Sequence, residues 1–159
     1  MAFTCTAYHP RCLNELVKNT PRGLAIVTSI GFDTQKPFTY YLFAAMYPSQ
    51  GSVEFVFGIR PRNNLRSSFE PAIFDARDAM ALIGKSHKPR ISEILIRFTE
   101  SLMAAAPRGF FMETFNPYLP TNALPKYERL CDVFIRSGYS VVREQALSGK
   151  YVWKMNKNN

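Results

Sequence analysis

Short runs of β-branched and aromatic residues, separated by turns rich in glycine or proline, dominate the pattern of this chain. Runs of this kind are typical of β-strands. Three of them follow one another on short connections in the first half, which predicts an antiparallel meander. A fourth lies near the start of the last third of the chain, and two more close it as a hairpin. The predicted strands are 24–30, 38–47, 52–58, 110–115, 139–143 and 150–154.

Apolar residues spaced three and four apart predict helices between these strands. The clearest example is the series Ile91, Ile94, Leu95, Phe98 and Leu102. A second apolar series ends at Phe134, and Gly138 stands where a left-handed C-terminal cap is expected. The predicted helices are 9–19, 71–83, 91–102 and 124–134. Residues 60–68 are polar, cationic and rich in strand-breaking types, which predicts a connection there.

These elements indicate an α+β fold with a mixed, mostly antiparallel sheet of about six strands and helices on both faces. A length of 159 residues is typical of a single hydrophobic core. We therefore expect one domain over 1–159, with residues 155–159 frayed at the C-terminus.

The charge of the chain narrows the classes of ligand. Twenty Lys and Arg against twelve Asp and Glu give a net charge of +8. Such a field attracts anions, so we expect a phosphate-bearing small molecule or a nucleic acid as partner. No apolar run approaches the length of a membrane span, and no secretory signal is apparent, so we expect no membrane partner. Three Cys without a CxxC pair and two His predict neither a structural zinc site nor a disulfide framework, in keeping with the cytoplasm.

The order helix, three strands, two helices, strand, helix, two strands resembles that of the GNAT N-acetyltransferases. The segment 134–142, with the sequence FIRSGYSVV, is similar to the end of a helix and the start of a strand in that family. The resemblance implies an acyl-CoA-dependent N-acyltransferase with acetyl-CoA or another acyl-CoA as cofactor. It also implies that strands 52–58 and 110–115 separate to form a groove for the pantetheine arm.

The cofactor's pyrophosphate is held in that family by a loop of the form Q/R-x-x-G-x-G/A that opens a helix. Backbone N–H groups and the helix dipole bind phosphate in such a loop. At the matching place this chain has Arg62, but Leu65 and Ser67 replace the two glycines. The resemblance therefore implies an atypical phosphate loop. Its candidate cofactor-binding residues are Arg60, Arg62, Asn63, Asn64, Arg66 and Ser67.

The resemblance also suggests catalytic residues. Phe134 stands where the family often has a catalytic Tyr, and a phenyl ring cannot donate a proton. Tyr127 or Tyr139 is then the candidate acid that protonates the departing thiolate. Glu113 on the fourth predicted strand is the candidate general base.

Two other interpretations stay open. The same arginines, with a second basic segment over 85–90, are compatible with a nucleic-acid-binding or nucleic-acid-modifying protein that needs no CoA. A small protein-interaction module with a basic surface is the third possibility. The sequence does not indicate an oligomeric state.

Overall fold

The structure is a computed structural model that describes residues 3–8, 16–20 and 23–159. Within these ranges it has nine strands in one sheet, three α-helices and a 3₁₀ turn at Thr121–Ala123. The strands are β1 (Phe3–Cys5), β2 (Leu16–Thr20), β3 (Gly23–Asp33), β4 (Phe38–Ser49), β5 (Ser52–Asn63), β6 (Ser68–Phe69), β7 (Gly109–Glu113), β8 (Tyr139–Gln145) and β9 (Tyr151–Lys157). The helices are α1 (Ala76–Ile83), α2 (Lys88–Met103) and α3 (Pro125–Arg136).

The sheet has the order β1-β3-β4-β5-β7-β9-β8, with β2 also paired to β3 and β6 to β5. Every pair is antiparallel except β5 with β7. The predicted α+β class and the mostly antiparallel sheet are confirmed, although the described residues form nine strands rather than six. The extra strands are short edge strands and β2.

One continuous core lies on a single face of the sheet, which we call the helix face. It joins Ile83 of α1, Ile94 of α2 and Leu130 of α3 to alternate strand residues such as Leu42 and Phe55. Phe43 and Ala45 of β4 are also buried, but they lie on the opposite, outer face and outside this core. The prediction of helices on both faces is therefore wrong for the described part of the chain.

The N-terminal region shows a second difference from the prediction. Strand β2 pairs antiparallel with β3, from Leu16 opposite Val27 to Thr20 opposite Gly23. The helix predicted over 9–19 is therefore wrong for residues 16–19. Residues 9–15 of that prediction lie outside the described residues. The segment LVKNT contains Val and Thr, which favour strands, and Leu, which also suits a helix. The spacing of its apolar residues therefore did not distinguish a strand from a helix.

The C-terminus is held more firmly than predicted. β9 continues to Lys157, and Met155 is only 1% exposed in the core. The backbone N–H of Asn158 also donates to Gly138 O at 2.9 Å. Fraying is therefore wrong for residues 155–157, because alternate apolar residues bury this strand against the core. Gly138 has a φ of 92°, as expected for the left-handed residue after α3.

Candidate functional site

The parallel strands β5 and β7 meet at one position only and then separate. Their ladder consists of the pair Glu54↔Phe111, whereas β7 pairs with β9 along its whole length. Further along β5, Ile73 takes the place of a neighbouring strand, exchanging backbone hydrogen bonds with Ile59 at 2.7 and 3.1 Å. An opening is left in the sheet between these two contacts.

Phe57 lies at the centre of this opening. Consecutive residues of a strand direct their N–H and C=O groups to opposite edges. Because Ile59 bonds toward Ile73, Phe57, two residues earlier, directs its backbone groups to the same edge. No described strand pairs with Phe57 on that side. An extended ligand lying in the opening would therefore find a backbone donor and acceptor there.

The opening forms a cavity of about 240 Å³, which we call the splay cavity. Residues that face both sides of the sheet line it. Phe55 and Phe57 belong to the helix face, and Glu54 and Val56 belong to the outer face. The other lining residues are Phe74, Glu113, Thr114, Phe115, Tyr127 and Lys150.

Two carboxylates meet at the outer side of the splay cavity. Burial, and then the negative charge of Glu113, raise the pKa of Glu54. Lys150 Nζ lies 3.7 Å from Glu113 Oε1 and partly offsets this negative charge. A desolvated carboxylate beside a second one is the environment in which a proton acceptor with a raised pKa is found. Glu54 is therefore a second candidate for the general base, beside the predicted Glu113.

Tyr127 lines the inner side of the same cavity. Its ring stacks on Trp153 at 5.1 Å between centroids and an interplanar angle of 11°. Burial raises the pKa of Tyr127 to about 12, an effect partly offset by the backbone amide of Phe115. The hydroxyl is therefore protonated at neutral pH, the form required of an acid. The stacking fixes the orientation of the ring.

A second cavity of about 360 Å³ adjoins the first, and Phe57 and Phe74 line both. We call it the α1–α3 groove, since it runs between α1, α2 and the start of α3. Its walls are mostly apolar, with three cations among them: Arg77, Lys88 and Lys126. Burial, and then the charge of Lys88, lower the pKa of Lys126. An anionic group in this groove would relieve that repulsion.

The start of α1 is not an open phosphate site. Asp75 caps it, its carboxylate accepting from the backbone N–H groups of Arg77 and Asp78 at 2.7 and 3.3 Å. Asn116 donates to the other carboxylate oxygen of Asp75. The N–H of Arg77, the hydrogen bond from Asn116 and the N–H of Asp78 lower the pKa of Asp75, which keeps it ionised. A negative charge therefore occupies the position that a phosphate would take.

The cationic segment predicted as a phosphate loop has a different structure. Arg60, Arg62 and Asn63 belong to β5, and the chain turns at 64–67 into β6. Asn63 Oδ1 accepts from the backbone N–H groups of Leu65 and Arg66 at 3.0 and 3.3 Å, which closes this hairpin. The segment therefore does not open a helix, and the strand-breaking connection predicted from residue 60 begins only after Asn63. None of the predicted cofactor-binding residues, Arg60, Arg62, Asn63, Asn64, Arg66 and Ser67, lines either cavity.

The structure brings two of the three predicted catalytic residues together. Glu113 and Tyr127 line the splay cavity from opposite sides. Tyr139 lies elsewhere, and its hydroxyl donates to Pro107 O at 2.9 Å and Ala106 O at 3.3 Å. Tyr139 therefore has a structural role in holding the segment before β7.

Sequence reasoning missed Glu54, Lys150, Arg77 and Lys126, whereas Lys88 lies in the basic segment 85–90 that it noted. The four missed residues come from four separate segments, and no motif links them along the chain. For Glu54, an acidic residue within an otherwise apolar strand was the one available signal. Within the described ranges no group of His, Cys, Asp and Glu is arranged to hold a metal ion. None of the helices described here is long and apolar enough to cross a membrane.

The chain matches no known family model, no curated protein and no solved structure. Its function must therefore be inferred from the geometry of the described residues.

Proposed function

We propose that this protein is an acyl-CoA-dependent acyltransferase whose reaction takes place in the splay cavity. The single observation that carries the proposal is that β5 and β7 pair only at Glu54↔Phe111 and then separate. The separation leaves the Phe57 backbone without a strand partner, beside an acid and a base on opposite sides of one cavity. Such a site accommodates an extended acyl carrier entering from one face and an acceptor entering from the other.

The acyl-CoA would supply a thioester, whose carbonyl carbon is the electrophile. Phe57 would hold the extended arm through its backbone N–H and C=O. Arg77, Lys88 and Lys126 would bind the phosphates from the apolar α1–α3 groove, since Asp75 closes the start of α1 to anions. This assignment moves the phosphate contacts away from the 60–67 hairpin that the sequence indicated.

The proton transfers would balance as follows. Glu54, assisted by Glu113 through its influence on the pKa, takes the proton that an acceptor amine loses as its nitrogen bonds to the acyl carbon. Tyr127 donates its proton to sulfur as the carbon–sulfur bond breaks. The protein then holds one extra proton on Glu54 and lacks one on Tyr127, and exchange with water restores both groups.

Thermal unfolding with and without acetyl-CoA tests the proposal. A ligand at a hundred times its Kd stabilises the folded state by about 2.7 kcal/mol. For a chain of this size we expect acetyl-CoA at about 1 mM, with a Kd near 10 μM, to raise Tm by roughly 5–10 °C. Lys126→Gln should reduce the shift, because Lys126 lies in the α1–α3 groove.

Lys154→Gln is the matched control, because it removes the same charge from an exposed residue that lines neither cavity of the proposed site. It should keep the full shift. An unchanged Tm for the unmodified protein at millimolar acetyl-CoA would remove the proposal. Equal losses in the two Lys variants would mean that binding depends on net charge and not on the groove.

A further inference from the structure

The outer face of the sheet carries a surface that the acyltransferase proposal does not use. All three described helices bury their side chains in the core on the helix face. At the end of the outer face away from Glu54, three aromatic and two arginine side chains lie on one face of four strands. We call this set the aromatic–arginine surface; it consists of Phe32, Tyr41, Arg60, Arg62 and Phe69.

The strand register places these residues in two rows. One row runs Phe32–Thr39–Arg62–Phe69 across β3, β4, β5 and β6. The next row runs Ser29–Tyr41–Arg60. Directly opposed residues in antiparallel strands share a face, so the members of both rows project on the same side. With strands about 4.8 Å apart, Phe32 and Phe69 are separated by roughly 14 Å.

Two of the rings, Phe32 and Phe69, are exposed, and Phe69 also contacts two other members of the surface. Phe32 is 41% exposed and Phe69 is 43% exposed, large fractions for phenyl groups. Tyr41 packs edge-on against Phe69, with ring centroids 5.7 Å apart. The guanidinium carbon of Arg60 lies 5.4 Å from the centroid of Phe69. Tyr41, Arg60 and Phe69 therefore contact one another before any ligand binds, which lowers the entropic cost of binding.

The charge of this surface is not neutralised by the protein. Arg60 and Arg62 form no ion pair with any carboxylate of the described residues. Asp33 follows Phe32 along the chain. Its carboxylate accepts hydrogen bonds from the backbone N–H groups of Gln35 and Lys36 at 2.7 and 3.1 Å. Two arginines beside exposed rings thus offer both phosphate contacts and stacking surfaces.

We propose that the aromatic–arginine surface binds single-stranded nucleic acid. Unpaired bases expose the planar faces that stack on aromatic rings, and arginines bind the phosphates between them. A duplex hides its base faces, so it would use the arginines alone. The surface is separate from the splay cavity, and the two proposals can therefore fail independently.

Fluorescence anisotropy with labelled oligo-dT and oligo-U of about twelve nucleotides tests the proposal. We expect binding of at least one of them, and an affinity that falls linearly with log salt between about 50 and 200 mM. The double variant Arg60→Gln, Arg62→Gln should weaken binding about tenfold. It should also reduce the slope of log affinity against log salt by roughly 1.4, the change expected when two phosphate contacts are lost. Phe69→Leu should weaken single-strand binding about fivefold or more and leave duplex binding unchanged.

Arg129→Gln with Arg136→Gln is the matched control, since it removes the same charge from exposed positions of α3. It should change the affinity less than about threefold. Circular dichroism of each variant checks that it is folded. A Glu54→Gln variant should bind the oligonucleotides normally even though its proposed catalytic base is gone.

Four results would overturn the proposal. They are an absence of binding at low salt, equal losses in the two double variants, a duplex bound as tightly as the single strands, and competition by polyglutamate as effective as that by unlabelled oligonucleotide. The last would assign the surface to acidic proteins.

Discussion

Asp75 shows how one side chain can change the use of a helix terminus. Helix N-termini attract anions because their first backbone N–H groups lack partners. In this protein the Asp75 carboxylate satisfies two of them and also receives a hydrogen bond from Asn116. The sequence placed the helix close to where it lies, yet it did not reveal that the terminus was already occupied.

Two substitutions of Asp75 should distinguish the stability that comes from capping α1 from the stability that comes from its negative charge. Both Asp75→Ala and Asp75→Ser lose the charge and the contact with Asn116, but a serine hydroxyl can still cap the helix. We expect the Ala variant to be about 1 kcal/mol less stable than the Ser variant in urea denaturation. Equal stabilities would show that the cap contributes little to α1.

Glu54 should make stability depend on pH in a defined direction. Its pKa is raised in the folded state, so the folded protein holds this proton more tightly than the unfolded chain does. Stability should therefore fall as pH rises from the ordinary range of a glutamate through the raised pKa of Glu54. The Glu54→Gln substitution removes the titrating carboxyl group and therefore removes this loss of stability. The free energy of unfolding of the variant relative to the unmodified protein should increase over that interval.

The control for this experiment is Glu100→Gln, which makes the same change in net charge on the outside of α2. Urea denaturation series at several pH values measure both differences. A Glu54→Gln difference that is flat with pH, or that falls as pH rises, would contradict the raised pKa.

At the scale of elements, the spacing of apolar residues correctly predicted the helices that bury one side in the core. The apolar series from Ile91 to Leu102 gave α2, and the series ending at Phe134 gave α3. Errors arose in the short strands β1 and β6, in β2, and at the polar end of β5. The polar end of β5 was read as a connection because Arg62 and Asn63 have low strand propensity, and pairing with both β4 and β6 overrides that preference.

Phe134 should be among the most sensitive positions of α3. It is fully buried, and its ring lies 5.3 Å from that of Phe55 and 5.1 Å from that of Phe110. Phe134→Ala should cost about 3–5 kcal/mol through lost burial and a cavity. The next residue provides the comparison: Ile135 is 55% exposed, and Ile135→Ala should cost less than about 1 kcal/mol in the same urea denaturation assay. Similar losses would contradict the observed face of α3.

At the scale of the whole molecule, the sheet is divided where the candidate site lies. Strands β1–β6 and β7–β9 share the single pair Glu54↔Phe111. The two parts are joined instead by side chains of the common core, including the contacts of Phe134 with Phe55 on one side and Phe110 on the other. The opening between β5 and β7 therefore leaves the core of the described residues continuous.

This arrangement predicts cooperative unfolding. Trp153 is the only tryptophan and lies in β9, so its fluorescence reports on the smaller part of the sheet. Far-UV circular dichroism reports on the whole chain. Because one core spans both parts, we expect the two signals to give the same urea midpoint. Two separate midpoints would show that the parts unfold independently across the opening.

The sequence by itself determined the α+β class, the long strands β3, β4 and β5, the helices α2 and α3, and the closing hairpin, since these depend on local propensity and on which side of an element is buried. It also determined the net positive charge. The tertiary structure alone decided which side chains come near one another: Glu54 and Glu113, Tyr127 and the opening between β5 and β7, and Tyr41, Arg60 and Phe69 from three strands. Such contacts depend on strand order and register, which the pairing of distant segments sets and no local pattern encodes.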